Sequence, residues 1–330
     1  MIYVILLRRI SITGGRMLHS TKISIVCWLF ACYSYDVMPK LTIITPVYNG
    51  ERFIESCLKT VVGQNCPDIE HLIVDGGSQD KTTEIVKQYA QKYPHLRWIS
   101  EKDSGQSDAM NKGIALAHGN IISFLNADDF YEPNVLTRVL TIFKDLPEPS
   151  LLVGNCNVWD NRGIMYVNQP RKLRLEDLLM GTDIHPHPFN PSAYFYHKSL
   201  HQKIGLYDTN EHYVLDLDFI FRAVQAAKVK YVDETWGNYR FIEGTKTFED
   251  HKRGESDKRA AALNNRHLES LPLFCQLRIR IKRYMIKSFR KRSQFFYFFI
   301  RIQFYFRNPR EIAEFFKRTS RRISEKLKHT

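Results

Sequence analysis

Four short apolar runs punctuate the first part of the chain: Leu41 to Ile44, His71 to Val74, Trp98 to Ser100 and Ile121 to Leu125. The segments between them are long enough for a helix each, a spacing that predicts βαβ units and a parallel sheet. Each run leads into a polar cluster: Thr45-Pro46-Val47-Tyr48-Asn49-Gly50-Glu51, Asp75-Gly76-Gly77-Ser78-Gln79-Asp80, the stretch from Asp103 to Gly113, and Asn126-Ala127-Asp128-Asp129. Open parallel sheets bind ligands in the crevice beyond the carboxyl ends of their strands. The run from Lys40 to Asp129 is therefore expected to bring four polar clusters to one site.

The residue types in each cluster narrow the chemistry. Pro46 removes a backbone donor and Asn49-Gly50 tolerates unusual dihedrals, so a flat ligand can approach the chain closely. Asp75 at a strand end can accept from a nucleobase imide or a ribose hydroxyl, while Ser78 or Asp80 can cap a helix running from Glu84 to Tyr93. Asp108, Asn111 and Lys112 share one helical face, where they either meet a ribose and phosphates or form caps and a surface ion pair. Asp128 and Asp129 follow an apolar strand, and adjacent carboxylates facing phosphates suit a hard divalent cation. A dinucleotide-dependent oxidoreductase would need a GxGxxG turn after the first strand, and TPVYNGE has none.

Taken together and in order, TPVYNGE, VDGGSQDKT, SEKDSGQSDAMNKG and NADD resemble glycosyltransferase family 2, over roughly residues 39 to 243. The resemblance implies an α/β fold of the GT-A nucleotide-diphospho-sugar transferase type, a mostly parallel mixed sheet flanked by helices. It puts Pro46, Tyr48 and Glu51 around the nucleobase, Asp75 on the base, and Asp103, Gln106, Asp108, Asn111 and Lys112 near the ribose and phosphates. Asp128 becomes the principal ligand of a divalent cation (Mn2+ or Mg2+), with Asp129 and Asn126 beside it; Asn126 stands where the stricter motif has an acid. Farther on, Asn190 to Tyr196 resembles the acceptor-side segment, and the acidic pair that holds the family's base aligns with Leu215-Asp216. Asp216 is the expected base and Asp218 the reserve, with helix capping the alternative role for either. Tyr239-Arg240 and Gly244 to Thr247 resemble a late basic loop facing the leaving diphosphate. His185 and His187 are acceptor-loop candidates, though a proline-flanked histidine is more often structural.

The implied reaction is inverting, metal-dependent transfer of a sugar from a nucleotide diphosphate, with a UDP-sugar favoured, to a glycan or lipid-linked saccharide during cell-surface polysaccharide synthesis. The rival is a non-catalytic nucleotide-sugar-binding protein of the same fold at a membrane surface, to which Asn126 and Leu215 are the relevant departures.

Composition changes this picture mainly at the ends. The chain has 330 residues, 44% of them apolar, as expected of a globular protein. Its six cysteines contain no CxxC pair, which argues against a disulfide scaffold or zinc site and favours a reducing cytoplasm. The net charge of +13 is concentrated in residues 271–330, which hold 17 Lys/Arg and 3 Asp/Glu. The expected domains are a leader over 1–38, a transferase domain over 39–245 (donor half 39–130, acceptor half 131–245), and a basic, aromatic-rich helical tail over 246–330. Within the leader, Ile23 to Cys32 is about half the ~20 residues needed to span a bilayer. It can mimic a signal peptide, but Met38-Pro39-Lys40 opens the first strand directly, so Met38 is read as the start and the leader as a gene-model extension. In the tail, Phe295 to Phe306 is too short to span. Beyond Pro309, Ile312, Phe316, Ile323 and Leu327 share a face ringed by Lys and Arg. This reads as an interfacial helix on anionic lipid, with packing against the main domain the alternative. No RNA-binding signature accompanies the charge, and no nucleic-acid partner is expected. The location implied is cytoplasmic, peripheral on the inner face of the plasma membrane.

Overall fold

A computed structural model describes the backbone of residues 39–307 and the side chains of residues 39–292. The expectations for the leader and for the helix beyond Pro309 lie outside the described residues.

All four apolar runs form strands, each pairing as expected. They are β1 (Leu41–Val47), β2 (Ile69–Asp75), β3 (Leu96–Ser100) and β4 (Ile121–Phe124), in parallel register with β1 between β2 and β4. Every residue of β1 and β2 is buried, as central strands covered on both faces require. Between them run α1 (Ile54–Val62), α2 (Thr82–Lys92) and α3 (Gln106–Leu116). In α1 the buried positions Ile54, Cys57, Leu58 and Val61 repeat at helical spacing and cover the sheet. Helix α3 lies so close to β1 that a Cβ at Gly113 would stand 2.4 Å from Ile44 Cγ2, so only glycine fits there.

Beyond β4 the sheet becomes mixed. It adds β5 (Phe130–Tyr131), β6 (Ser150–Asp160), β7 (Gly163–Asn168), β8 (Tyr194–His197) and β9 (Lys228–Arg240). The order is β3-β2-β1-β4-β8-β6-β9-β5, with β7 a hairpin partner of β6. β8 runs antiparallel to both β4 and β6, while β9 runs parallel to β6. The remaining helices are α4 (Val135–Phe143), α5 (Leu175–Leu178), α6 (Leu200–Ile204), α7 (Leu215–Ala226), α8 (Lys246–Arg253), α9 (Glu255–Glu269) and α10 (Leu273–Arg307).

Alternation along the strands splits the core in two. Ile44, Ile122, Tyr194 and Tyr196 face α3 and α7, whereas Leu41, Ile43 and Phe195 face α1 and α4. Leu263 of α9 and Ile279 of α10 are buried in the first of these clusters. Cys57, Cys66, Cys156 and Cys275 are unpaired. Among the described residues, no helix is long and apolar enough to cross a membrane.

Candidate active site

The loops after β1 and β4, the start of α3 and the segment after β9 surround an open cavity of about 680 Å3 at the carboxyl end of the parallel strands. Pro46, Tyr48, Asp103, Gln106, Asn126 and Asp128 line it, together with Tyr239 and Gly244 to Thr247. Tyr48 is 62% exposed, an aromatic face turned to the cavity. These are the residues that tertiary structure does bring together.

Several other candidates stand outside that lining, and their hydrogen bonds explain why. The carboxylate of Glu51 accepts from Lys81 N–H at 3.0 Å, at the start of α2. Asp80 accepts from the backbone of Glu51 and of Thr82, both at 3.0 Å, so the two acids lock the first loop to the second. Asp75 is 1% exposed. Its Oδ2 accepts from Gly77 N–H, Ser78 N–H and Ser100 Oγ at 3.1, 3.0 and 2.7 Å, while its Oδ1 accepts from Ser78 Oγ at 2.5 Å. Asp75 thus shapes the glycine turn, and contact with a base would cost it a bond it already makes. The neighbouring Asp103 takes the space that a side chain at 76 would fill: a Cβ on Gly76 would meet Asp103 Oδ2 at 2.5 Å. Asp103 also accepts from Gly105 N–H at 2.9 Å and lies on the cavity wall.

On α3 the shared face expected for Asp108, Asn111 and Lys112 exists, but it does not line the cavity. Asp108 accepts from Ser104 N–H at 3.1 Å and pairs with Lys112 at 3.5 Å; Lys112 also pairs with Glu101 at 2.9 Å. These contacts hold the Asp108 carboxyl below its usual range, the Ser104 bond foremost. Asn111 donates to Tyr207 C=O at 2.9 Å and accepts from Tyr207 N–H at 3.0 Å, fastening α3 to the chain before α7. Gln106 alone of the set spans the cleft: its Nε2 donates to Asn126 Oδ1 at 3.2 Å and its Oε1 accepts from Lys246 Nζ at 3.1 Å.

The acidic pair after β4 divides in the same way. Asp129 is fully buried and accepts from Asn126 Nδ2 at 3.1 Å, Asn190 Nδ2 at 2.8 Å and Arg240 N–H at 3.2 Å. Burial, then the charge of Asp128, pushes its carboxyl up. Asp128 lines the cavity and, among the described residues, makes no hydrogen bond to another side chain. Its carboxyl is also raised by burial, against a smaller opposing pull from Arg240. Asn126 donates its amide to Asp129, whereas an ionised acid there would set two carboxylates against each other.

The described residues contain no cluster of three or more His, Cys, Asp or Glu side chains suited to a metal. One carboxylate is nevertheless enough for a hard cation that takes its other oxygens from substrate phosphates and water. Asp128 fits that role, whereas Asp129 and the Asn126 amide are already engaged.

The two acids of α7 lie in its first turn and have separate surroundings. Tyr194 Oη donates to Asp216 Oδ1 at 2.9 Å. Burial raises the Asp216 carboxyl to about 6, opposed by the Tyr194 bond and the charge of Lys246. Asp218 instead pairs with Arg222 at 2.7 Å and faces His267 Nε2 at 3.5 Å, tying α7 to α9. Burial works against its charge, yet the bonds from His267 and Arg222 leave the carboxyl below its usual range. His187 is buried with Nε2 2.7 Å from Leu178 C=O, and burial lowers it to about 4, the structural role that its proline flank favours.

Sequence reasoning passed over Arg52, Phe53 and His212, all on the cavity wall. Arg52 Nη1 donates to Glu243 C=O at 3.0 Å, bridging the first loop to the segment after β9. The carbonyl of His212 accepts from Lys246 Nζ at 2.5 Å. Only the resemblance of Gly244 to Thr247 to a basic loop pointed toward this wall, since contacts across some 190 residues leave no local pattern.

A nucleotide-sized cleft at the carboxyl edge of a mixed sheet, with a carboxylate on one wall and a lysine loop on the other, is the architecture of the GT-A glycosyltransferases. The sequence profile of glycosyl transferase family 2 matches residues 42–200. A PGL/p-HBAD biosynthesis glycosyltransferase of Mycobacterium bovis is 34% identical over 189 residues, 56% of this chain and 69% of that protein. The chain belongs to glycosyltransferase family 2. The uncharacterized glycosyltransferase YibD of Escherichia coli is 34% identical over 148 residues, so the match spans 44% of this chain and only 42% of that relative's length. Among solved structures, Staphylococcus aureus TarS 1-349 in complex with UDP-GlcNAc superposes with a TM-score of 0.58 at 19% identity, covering 73% of this chain and 70% of that one.

Proposed function

We propose that the protein is an inverting glycosyltransferase that moves a sugar from a nucleoside diphosphate, of the UDP type, to a glycan or lipid-linked saccharide. The observation that carries this reading is the separation of roles around one cleft. Tyr48 and Asp103 offer a base-and-ribose wall and Asp128 and Lys246 flank the room for a diphosphate. Asp216, outside that lining, is bonded by Tyr194 and feels the charge of Lys246, its carboxyl raised by burial to about 6. A divalent cation bound at Asp128 together with the donor would neutralise the leaving diphosphate.

Among the protein's own groups, Tyr48 stacks the base and Asp103 accepts from ribose or base. Lys246 gives up its bonds to Gln106 Oε1 and His212 C=O to meet developing phosphate charge. Asp216, ionised above its pKa, takes the proton of the acceptor hydroxyl while Tyr194 Oη keeps it oriented. The proposed setting is cell-surface polysaccharide synthesis at the cytoplasmic face of the plasma membrane, a reading supported by the family and the basic C-terminal segment.

A thermal-shift screen across nucleoside diphosphates and their sugars, with and without Mn2+, tests the donor; donor hydrolysis under the same conditions tests turnover. A metal-dependent shift with hydrolysis is expected. A shift without hydrolysis or transfer would favour the non-catalytic binding protein instead.

A further inference from the structure

Helix α10 presents two opposed faces. One is docked: Ile279 is 2% exposed in the main core, Arg278 pairs with Glu176, and Lys287 pairs with Asp183 at 3.1 Å. Arg283 donates to Leu179 C=O and to the side chain of Asn264 on the same side. The other face carries Phe274, Leu277, Ile281, Tyr284 and Met285, spaced as neighbours on one helical stripe and between 49% and 74% exposed. A soluble surface seldom leaves such a run of large apolar side chains in water.

The charges around the stripe indicate what covers it. Arg280 and Lys291 border it on one side and Lys282 on the other, and Arg292 closes its carboxyl end; all four are exposed. None of the four has a hydrogen bond or ion pair among the described residues, and residues 271–292 contain no Asp or Glu. The remaining C-terminal residues, 293–330, hold nine Lys/Arg and three Asp/Glu, so their net charge is positive as well. An apolar protein groove would strand the four cations, whereas a lipid surface offers acyl chains to the stripe and phosphates to its borders.

We propose that the exposed face of α10 over residues 273–292 is a docking surface for anionic membrane, held by acyl contact along the stripe and by phosphate contact at its basic borders. It is independent of the transferase reading, because binding is measured without donor or acceptor.

The full chain is floated with vesicles of phosphatidylcholine alone and of phosphatidylcholine mixed with phosphatidylglycerol. It should bind the mixed vesicles and be released as salt screens the phosphates. The triple variant Phe274→Asp, Ile281→Asp, Met285→Asp should bind at least about tenfold more weakly, since burying each apolar side chain is worth well over a factor of five. Its thermal transition should be unchanged, because all three residues are exposed. The variant Arg280→Gln, Lys282→Gln, Lys291→Gln, Arg292→Gln should also weaken binding and flatten its salt dependence. Failure of the full chain to bind anionic vesicles, equal binding to neutral ones, or wild-type binding by the triple variant would each overturn the proposal. Loss of donor binding would leave this result untouched.

Discussion

The loop after β4 and the first turn of α7 each carry two carboxylates, and in each the scaffold bonds one of them more heavily than the other. After β4, Asp129 is buried under three donors while Asp128 faces the cavity. On α7, Asp218 is taken by Arg222 and His267 while Asp216 keeps only Tyr194. A buried carboxylate is stable only with donors around it, so the acid with more donors is the one the fold itself uses. The segment from Asn190 to Tyr194 serves both places: Asn190 donates to Asp129 and Tyr194 to Asp216. That shared strand end links Asp129, next to the cavity-lining Asp128, with Asp216, which lies outside the lining and feels the charge of Lys246 on the cavity wall.

The sharpest way to break the comparison is to neutralise Asp216 and Asp128, the two acids proposed to take part in transfer. Asp216→Asn should lower the transfer rate by about 10²–10⁴-fold, the usual value of a positioned base, as read in single-turnover sugar transfer. The same variant should melt no lower at pH 7 than the wild type, because it removes a charge that burial disfavours. Asp128→Asn should lose metal-dependent donor binding and transfer, by about 10²–10³-fold, and a chelator should reproduce that loss in the wild type. Retention of full transfer by either variant would reverse the role assigned to that acid.

The structural acids should respond in stability. Asp129→Ala strips acceptors from Asn126, Asn190 and the Arg240 amide, and should cost about 3 kcal/mol in denaturant unfolding. A smaller effect is expected from pH. Asp216 binds its proton more tightly folded than unfolded, so its contribution to stability is present below the ordinary carboxylate range and is lost as pH rises through about 6. That loss should be at most about 2 kcal/mol given the residue's partial exposure. Transfer should move the opposite way, rising as pH passes about 6, and this limb should disappear in Asp216→Asn. Last, Asp218→Asn should cost about 1 kcal/mol of stability and leave transfer within a few-fold of wild type, since its partners are Arg222 and His267 rather than substrate.

Much of the donor half was legible along the chain. Apolar runs of strand length separated by helix-length segments led to the right four parallel strands, because strand burial and helix spacing are written locally. The polar loops at their ends did surround a cleft. Individual directions were not legible: Glu51 in its loop, Asp75 at the end of β2, and Asp108, Asn111 and Lys112 on α3 bond to neighbouring backbone or side chains. The mixed half was harder still, since β8 and β9 pair out of chain order and β6 takes partners on both edges. Arg52 and His212 reach the cavity only through contacts with segments far away in sequence.

By itself, then, the chain's pattern determined the parallel core, the carboxyl-end position of the site and the kinds of group available there, because hydrophobic periodicity and turn chemistry act over a few residues. Tertiary structure alone decided which acid of each pair has fewer partners. That choice depends on donors such as Asn190, Arg240, Arg222 and His267, delivered by other strands and helices, and on the water their packing excludes.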